Sequence, residues 1–262
     1  MTLPDARRTL PALDRLPSRI TRAEAATVVN NNASAIMLIL TALAKGRKVA
    51  ISRGQLVKIG TTNRTHLRDY EAAILEDGVK VVMRAHHSNY RIIGFTTEPN
   101  LADIATLAHQ HDVPMIDDIG SGALIDPAQF GLGHEPLIQD SIADGVDLVA
   151  FSGDKLLGGP QSGIIVGKKA LVNRLKKHPL MRAIRPDKLC PAGLEATLLH
   201  YLKDEALTEI LIWRMISRPL PDIRAHAERI VTALHAPRTL LDPANDRLLA
   251  GLTAALAKPR TP

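Results

Sequence analysis

The chain has 262 residues, of which 45% are hydrophobic, 23% charged and only 3% aromatic, with a formal net charge of +6. Its single cysteine, Cys190, excludes an intramolecular disulfide framework and a zinc site built on several thiolates. The scarcity of rings argues against a base-stacking nucleic-acid platform, while the mild positive charge permits a polyanionic partner without naming one.

Met1 to Arg22 carries Asp5, Arg7, Arg8 and Asp14 and no apolar run, so it does not read as a secretory signal. The most apolar stretch, Ala33 to Ala44, is too short to span a bilayer. The expectation is a soluble, cytoplasmic protein with no membrane partner.

Short apolar runs alternate with helical patterns. Val28 and Val29 end a first run at Asn30-Asn31-Asn32, and a helix over Ser34 to Ala44 follows. Lys48 to Ile51 reads as a strand broken by Ser52-Arg53-Gly54, and Thr65 is positioned to cap a helix from His66 to Glu76. Val79 to Met83 is a predicted strand. Leu101 to His111 is a predicted helix with apolar positions at Leu101, Ile104, Ala105 and Ala108. Val113 to Ile116 reads as a strand that ends in Asp117-Asp118. Val146 to Phe151 reads as another, ending at Ser152-Gly153-Asp154-Lys155, and Gly163 to Val166 as a third. Helices are predicted over Lys168 to Lys177, Leu194 to Leu202 and Ile223 to Leu234. Wholly apolar strands alternating with helices predict an α/β fold, a mostly parallel sheet with both faces covered by helices. The composition shifts at Pro186 to Pro191, beyond which strand signals stop.

In open α/β sheets ligands bind beyond the carboxyl ends of the strands, and four polar clusters fall there. Asn30-Asn31-Asn32-Ala33-Ser34 opens a helix. It can serve as a cap alone, or its free N–H groups can hold a phosphate. Asp117-Asp118-Ile119-Gly120-Ser121-Gly122 reads as a turn. Alternatively it is a strand-end carboxylate awaiting a cation or a donor, such as the pyridinium N–H of pyridoxal phosphate (PLP). Ser152-Gly153-Asp154-Lys155 leads into Leu156-Leu157-Gly158-Gly159-Pro160. A lysine there is either one more surface cation or a partly desolvated amine suited to Schiff-base chemistry. The Ser-x-x-Lys spacing lacks the partner motifs of penicillin-binding enzymes, and the glycines lack a P-loop ending. The fourth set contains anion binders: Thr61-Thr62-Asn63-Arg64, Ser88-Asn89-Tyr90-Arg91, and Arg182 with Arg185. The histidines have no metal-ligand spacing, so no metal is expected. The order of phosphate-type loop, strand-end Asp and strand-end Lys is that of a large-domain PLP enzyme of the aspartate aminotransferase superfamily.

Several words go further. Val-Val-Asn-Asn-Asn-Ala (28–33), Ser-Arg-Gly-Gln-Leu-Val (52–57), Gly-Thr-Thr-Asn-Arg-Thr-His-Leu (60–67), Ser-Asn-Tyr-Arg-Ile (88–92), Asp-Ile-Gly-Ser-Gly (118–122) and Phe-Ser-Gly-Asp-Lys-Leu-Leu-Gly-Gly-Pro-Gln (151–161) resemble bacterial selenocysteine synthases, the L-seryl-tRNA(Sec) selenium transferases. The resemblance runs from about Ala25 to Leu234. It implies a fold type I PLP-dependent transferase, with an N-terminal arm over 1–24, a PLP-binding large domain over 25–185 and a partial, mainly helical small domain over 186–262. Lys155 would carry the cofactor and act as the catalytic base. Asp118 would pair with the pyridinium nitrogen, and Asn31, Asn32, Ala33 and Ser152 would lie near the phosphate. Thr61, Thr62, Tyr90, Asp154, Arg182 and Arg185 would bind the selenium donor and the seryl ester. The implied reaction converts seryl-tRNA(Sec) to selenocysteinyl-tRNA(Sec), by β-elimination of water and addition of selenium from selenophosphate, in a homo-oligomer. The alternatives are a non-catalytic remnant of such an enzyme, or another fold type I lyase or aminotransferase.

The pattern also departs from the family. The resemblance implies that an N-terminal tRNA-binding region and most of the C-terminal domain are missing. Val-Lys-Ile-Gly runs straight into Thr-Thr-Asn-Arg, where the family has a further Gly-rich segment. Loss of the strand in that segment predicts a gap in the sheet. His86-His87 stands where a His-Pro or His-Thr pair is expected.

Overall fold

A computed structural model describes residues 15–46, 48–51, 57–58, 64–86 and 94–233. A helix over 15–21 (α1) leads into β1 (Ala25–Val29) and α2 (Asn32–Ala44). Then come β2 (Val49–Ile51), β3 (Val57–Lys58), α3 (Leu67–Leu75), β4 (Val81–Ala85), α4 (Leu101–Gln110), β5 (Met115–Gly120), α5 (Ile138–Ala143), β6 (Leu148–Ser152) and β7 (Gly163–Gly167). The described residues after Gly167 form helices only: α6 (Lys169–Lys176), α7 (Leu180–Ala183), α8 (Leu189–Leu202), α9 (Ala206–Glu209), α10 (Leu211–Ile216) and α11 (Leu220–Ala233).

The strands form one seven-stranded sheet in the order β1-β7-β6-β5-β4-β2-β3. β2, β3, β4, β5 and β6 are mutually parallel, whereas β7 runs antiparallel to both β6 and β1. The reversal of β7 escapes the sequence because a strand covered on both faces is apolar throughout in either direction. The predicted gap is absent among the described strands. β2 bonds β4 directly, and the two-residue β3 takes the edge beside β2.

Successive strand side chains point to opposite faces. Val82, Met115, Ile119, Val149, Phe151, Ile164 and Val166 pack with α3, α4, α5 and α8 in one core layer. Val81, Met83, Ile116, Leu148, Ala150 and Ile165 pack with α2 and α6 in the other. Aliphatic side chains fill most of both layers, as the composition requires, with Tyr70 and Phe151 the buried rings of the first. Among the described residues no helix is long and apolar enough to cross a membrane.

Three predicted boundaries move for local reasons. Helix α3 is capped at His66, whose N–H donates to Asp69 Oδ2 at 2.8 Å, while Thr65 is buried and its N–H bonds the Thr97 carbonyl. β5 runs through Asp117 and Asp118 to Gly120, so the pair lies inside the strand and not in a turn after it. α8 begins at Leu189, ahead of the predicted Leu194. Asp187 Oδ1 takes the Leu189 and Cys190 amides, and Pro191 falls in the first turn, where no N–H donor is needed.

Candidate active site

Register assembles the site. Val29 pairs with Gly163, and Gly163 with Ser152, so the ends of β1 and β6 and the start of β7 form one row. The chain leaves β1 into Asn30 and Asn31, and α2 begins over this row. Asn31 caps the helix, its side chain accepting from Ser34 N at 2.8 Å. Asn32 does something else: its Nδ2 donates to Asp118 Oδ1 at 2.8 Å. Asn30 N donates to the Ile184 carbonyl at 2.9 Å, tying the end of α7 to the start of α2. This bond brings the segment that carries Arg182 and Arg185 to the helix N-terminus. Both arginines are exposed, as is Ala33. The triple asparagine is therefore three separate devices, of which only Asn31 is a cap.

The aspartate pair divides in the same way. Asp117 faces the α4–α5 layer and is 0% exposed. Arg84, its register partner on β4, donates Nε to Oδ1 at 2.9 Å and Nη2 to Oδ2 at 2.8 Å. Ser141 Oγ adds a bond to Oδ2 at 2.7 Å. Asp117 is thus a saturated structural anion. Asp118 faces the α2 layer, half-buried, with Asn32 as its donor. Burial pushes its carboxyl above the usual range, partly opposed by the Asn32 bond; Asp117 adds to the rise, and the Lys155 charge opposes it. Ser152 is buried on the same face, two residues beyond Ala150, the register neighbour of Asp118.

Lys155 follows in a loop fastened at several points. Leu156 N donates to the Ser121 carbonyl at 2.9 Å, Gly153 N to the Ser162 carbonyl at 2.9 Å, and Gly159 N to the Gly153 carbonyl at 2.8 Å. Lys155 and Asp154 are both exposed, so the expected partial desolvation of the amine is absent from this arrangement. Thr61, Thr62 and Tyr90, like His87, lie outside the described residues. His86 is described: its N–H bonds the Asp118 carbonyl at 2.8 Å, and its ring lies 3.6 Å from Glu135 Oε1.

Among the buried polar atoms of the described residues that lack a hydrogen-bond partner, two lie here, Asn32 Oδ1 and Ser121 Oγ. Asn32 adjoins the Asp118 carboxylate, and the backbone of Ser121 holds the lysine loop. Buried polar groups are ordinarily satisfied, so orphans here suit a polar ligand. The backbone is also close-packed. A Cβ at Gly122 would stand 2.5 Å from the Ser152 carbonyl, and one at Gly163 would press onto the Asn31 carbonyl and lie 2.9 Å from Asn32 N. Gly163→Ala should therefore push the start of α2 off the sheet. The expected cost is about 1–3 kcal/mol, the usual range for overpacking. Thermal denaturation checks it, and an unchanged midpoint would contradict the close approach. Sequence reading missed Gly163 and Arg84. The bidentate role of Arg84 needs a register, which no local word supplies.

The comparisons with known proteins follow this geometry. The family model for L-seryl-tRNA selenium transferase matches residues 6–61 and 55–242. The chain belongs to that family. The two matched pieces meet at residues 55–61, where Val-Lys-Ile-Gly runs into Thr-Thr-Asn-Arg. A relative from Serratia proteamaculans, L-seryl-tRNA(Sec) selenium transferase, is 49% identical over 244 residues, covering 85% of this chain and 52% of the relative. The enzyme of the same name from Pasteurella multocida is 48% identical over 237 residues, covering 82% and 51%. The chain thus spans about half the length of the curated relatives it matches. Among solved structures, D-glucosaminate-6-phosphate ammonia-lyase aligns with a TM-score of 0.61 at 20% identity, over 79% of this chain and 63% of that one. Cystathionine gamma synthase from Xanthomonas oryzae pv. oryzae aligns with 0.56 at 16%, over 74% and 51%. The fold is that of the fold type I PLP-dependent enzymes.

Proposed function

We propose that this chain binds PLP through Lys155 and converts seryl-tRNA(Sec) to selenocysteinyl-tRNA(Sec) with selenophosphate as donor. The observation that carries the reading is Asp118. It is a half-buried carboxylate within β5, its pKa raised by burial, bonded by Asn32, with the Lys155 charge acting on it. When bound, PLP supplies an electron sink for loss of the serine Cα proton, departure of the β-hydroxyl as water and addition of selenium at Cβ. Asp118 would accept the pyridinium N–H and keep that charge in place. The N-terminal amides of α2 at Asn32 and Ala33, with Asn31 and Ser152, hold the phosphate. Lys155 Nζ would anchor the cofactor and would serve as the base for the Cα proton. Arg182 and Arg185, with Thr61, Thr62, Tyr90 and Asp154, bind the donor anion and the seryl ester by bidentate and hydroxyl contacts.

The same reading divides the chain into an arm over 1–24, a cofactor domain over 25–185 and a partial helical domain over 186–262. It also makes the protein cytoplasmic and homo-oligomeric. A second reading has a specific observation behind it, the break in the family match at residues 55–61. There the chain keeps the cofactor site and has lost turnover. Purified protein supplied with PLP, seryl-tRNA(Sec) and selenophosphate decides between them, with the assembly mass measured alongside. Selenocysteinyl-tRNA(Sec) from an oligomer is the expected result. PLP binding by a stable monomer without turnover would favour the remnant.

A further inference from the structure

The loop that carries Lys155 is held from below by Ser121, just past β5, and Ser162, just before β7, but its top is held by helices remote in sequence. Tyr201, on α8, lies over it. Its hydroxyl donates to the Leu157 carbonyl at 2.9 Å, with the Leu156 carbonyl at 3.3 Å, and accepts from Trp213 Nε1 on α10 at 2.6 Å. Trp213 is 0% exposed and Leu157 is fully buried. Burial holds the Tyr201 hydroxyl well above its ordinary pKa, with the Trp213 bond opposing, so it stays a neutral donor. The same helices press on the next turn. Gly158 has φ +76°, and a Cβ there would strike Ile210 and approach Ile212 Cγ2 at 2.9 Å. Gly158 N in turn closes the turn onto the Lys155 carbonyl at 3.0 Å.

We propose that Tyr201 is a positioning residue for Lys155. The Trp213–Tyr201–Leu157 chain of hydrogen bonds clamps the lysine loop to α8 and α10, so these helices set where the amine stands relative to Asp118. This rests on the reading of Lys155 as the PLP lysine. A hydroxyl whose donor and acceptor capacities are both used inside the protein is a specified contact, and removing it orphans a buried carbonyl and an indole N–H. The two carbonyls it holds are those of the residues immediately after Lys155.

The test is Tyr201→Phe in the full chain, with Trp213→Phe as a second variant that keeps a ring in the core. Hydrogen exchange on the cofactor-free protein reads the loop directly. The amides of Leu156, Gly158 and Gly159 should exchange about tenfold faster, the scale of one lost buried hydrogen bond, while those of β5 and β6 are unchanged. PLP titration should show weaker binding by a similar factor and a shifted pH midpoint of the visible band. Unchanged loop exchange in a folded variant overturns the clamp. Faster exchange with unchanged PLP affinity and pH midpoint reduces Tyr201 to a structural contact and overturns the positioning role. If Tyr201→Phe does not fold, Trp213→Phe decides by the same criteria. Failure of the PLP reading is separately visible, as a wild-type chain whose spectrum with PLP matches that of Lys155→Ala.

Discussion

Lys155→Ala abolishes the visible absorption that the wild-type chain acquires with PLP, and with it any turnover of seryl-tRNA(Sec). The loss should be complete. The amine is the covalent attachment point in the proposed reading, and its removal leaves only noncovalent contacts to the phosphate and ring. The fold should survive, because Lys155 is exposed and the loop is fastened through backbone groups of Gly153, Leu156, Gly158 and Gly159. Circular dichroism and thermal denaturation should therefore match the wild type while the spectrum differs. An identical spectrum in the variant would remove PLP attachment at this residue. A variant that binds PLP weakly without a band is compatible with this, since the N-terminus of α2 would still offer its free amides to the phosphate.

The second large effect is on stability. Arg84→Ala leaves Asp117, 0% exposed, with Ser141 as its side-chain donor and no counter-charge from β4. Breaking one partner of a buried pair costs about 3–5 kcal/mol, because the remaining charge is stranded. For a chain of this size that lowers the thermal midpoint by on the order of 10 °C. Replacing both partners, Arg84→Met with Asp117→Asn, should recover part of the loss, since a neutral pair needs no counter-ion. A single variant that melts with the wild type would show that the pair contributes nothing. The same variant probes the site indirectly. Asp117 and Asp118 are adjacent on β5, so a shifted strand end moves the carboxylate that Asn32 holds.

Much of this molecule was legible locally. The asparagine run after β1 and the Lys155 loop after β6 stand at strand ends in the sequence and in the fold alike, while the Asp-Asp pair falls inside β5. Such clusters can be read because each combines an apolar run with an abrupt change to polar or glycine residues, a signal a few residues wide. The division of labour within them was not legible. Asn31 and Asn32 are chemically identical, yet one caps α2 and the other holds Asp118, a distinction set by helix direction and by β5 across the sheet. Asp117 and Asp118 differ only in the face of β5 on which each falls.

The sequence alone determined the fold class and the family, because periodicity, caps and motifs are properties of neighbouring residues. Tertiary structure alone decided the reversed direction of β7, the closure of the sheet without a gap, the partnership of Arg84 with Asp117, and the clamp of Tyr201 on the lysine loop. Each of these joins residues distant in the chain. Register and packing fix such contacts, and no local pattern encodes them. The low aromatic content with which the sequence opens finds a use here. One of the few tyrosines and the single tryptophan meet above the loop that carries Lys155.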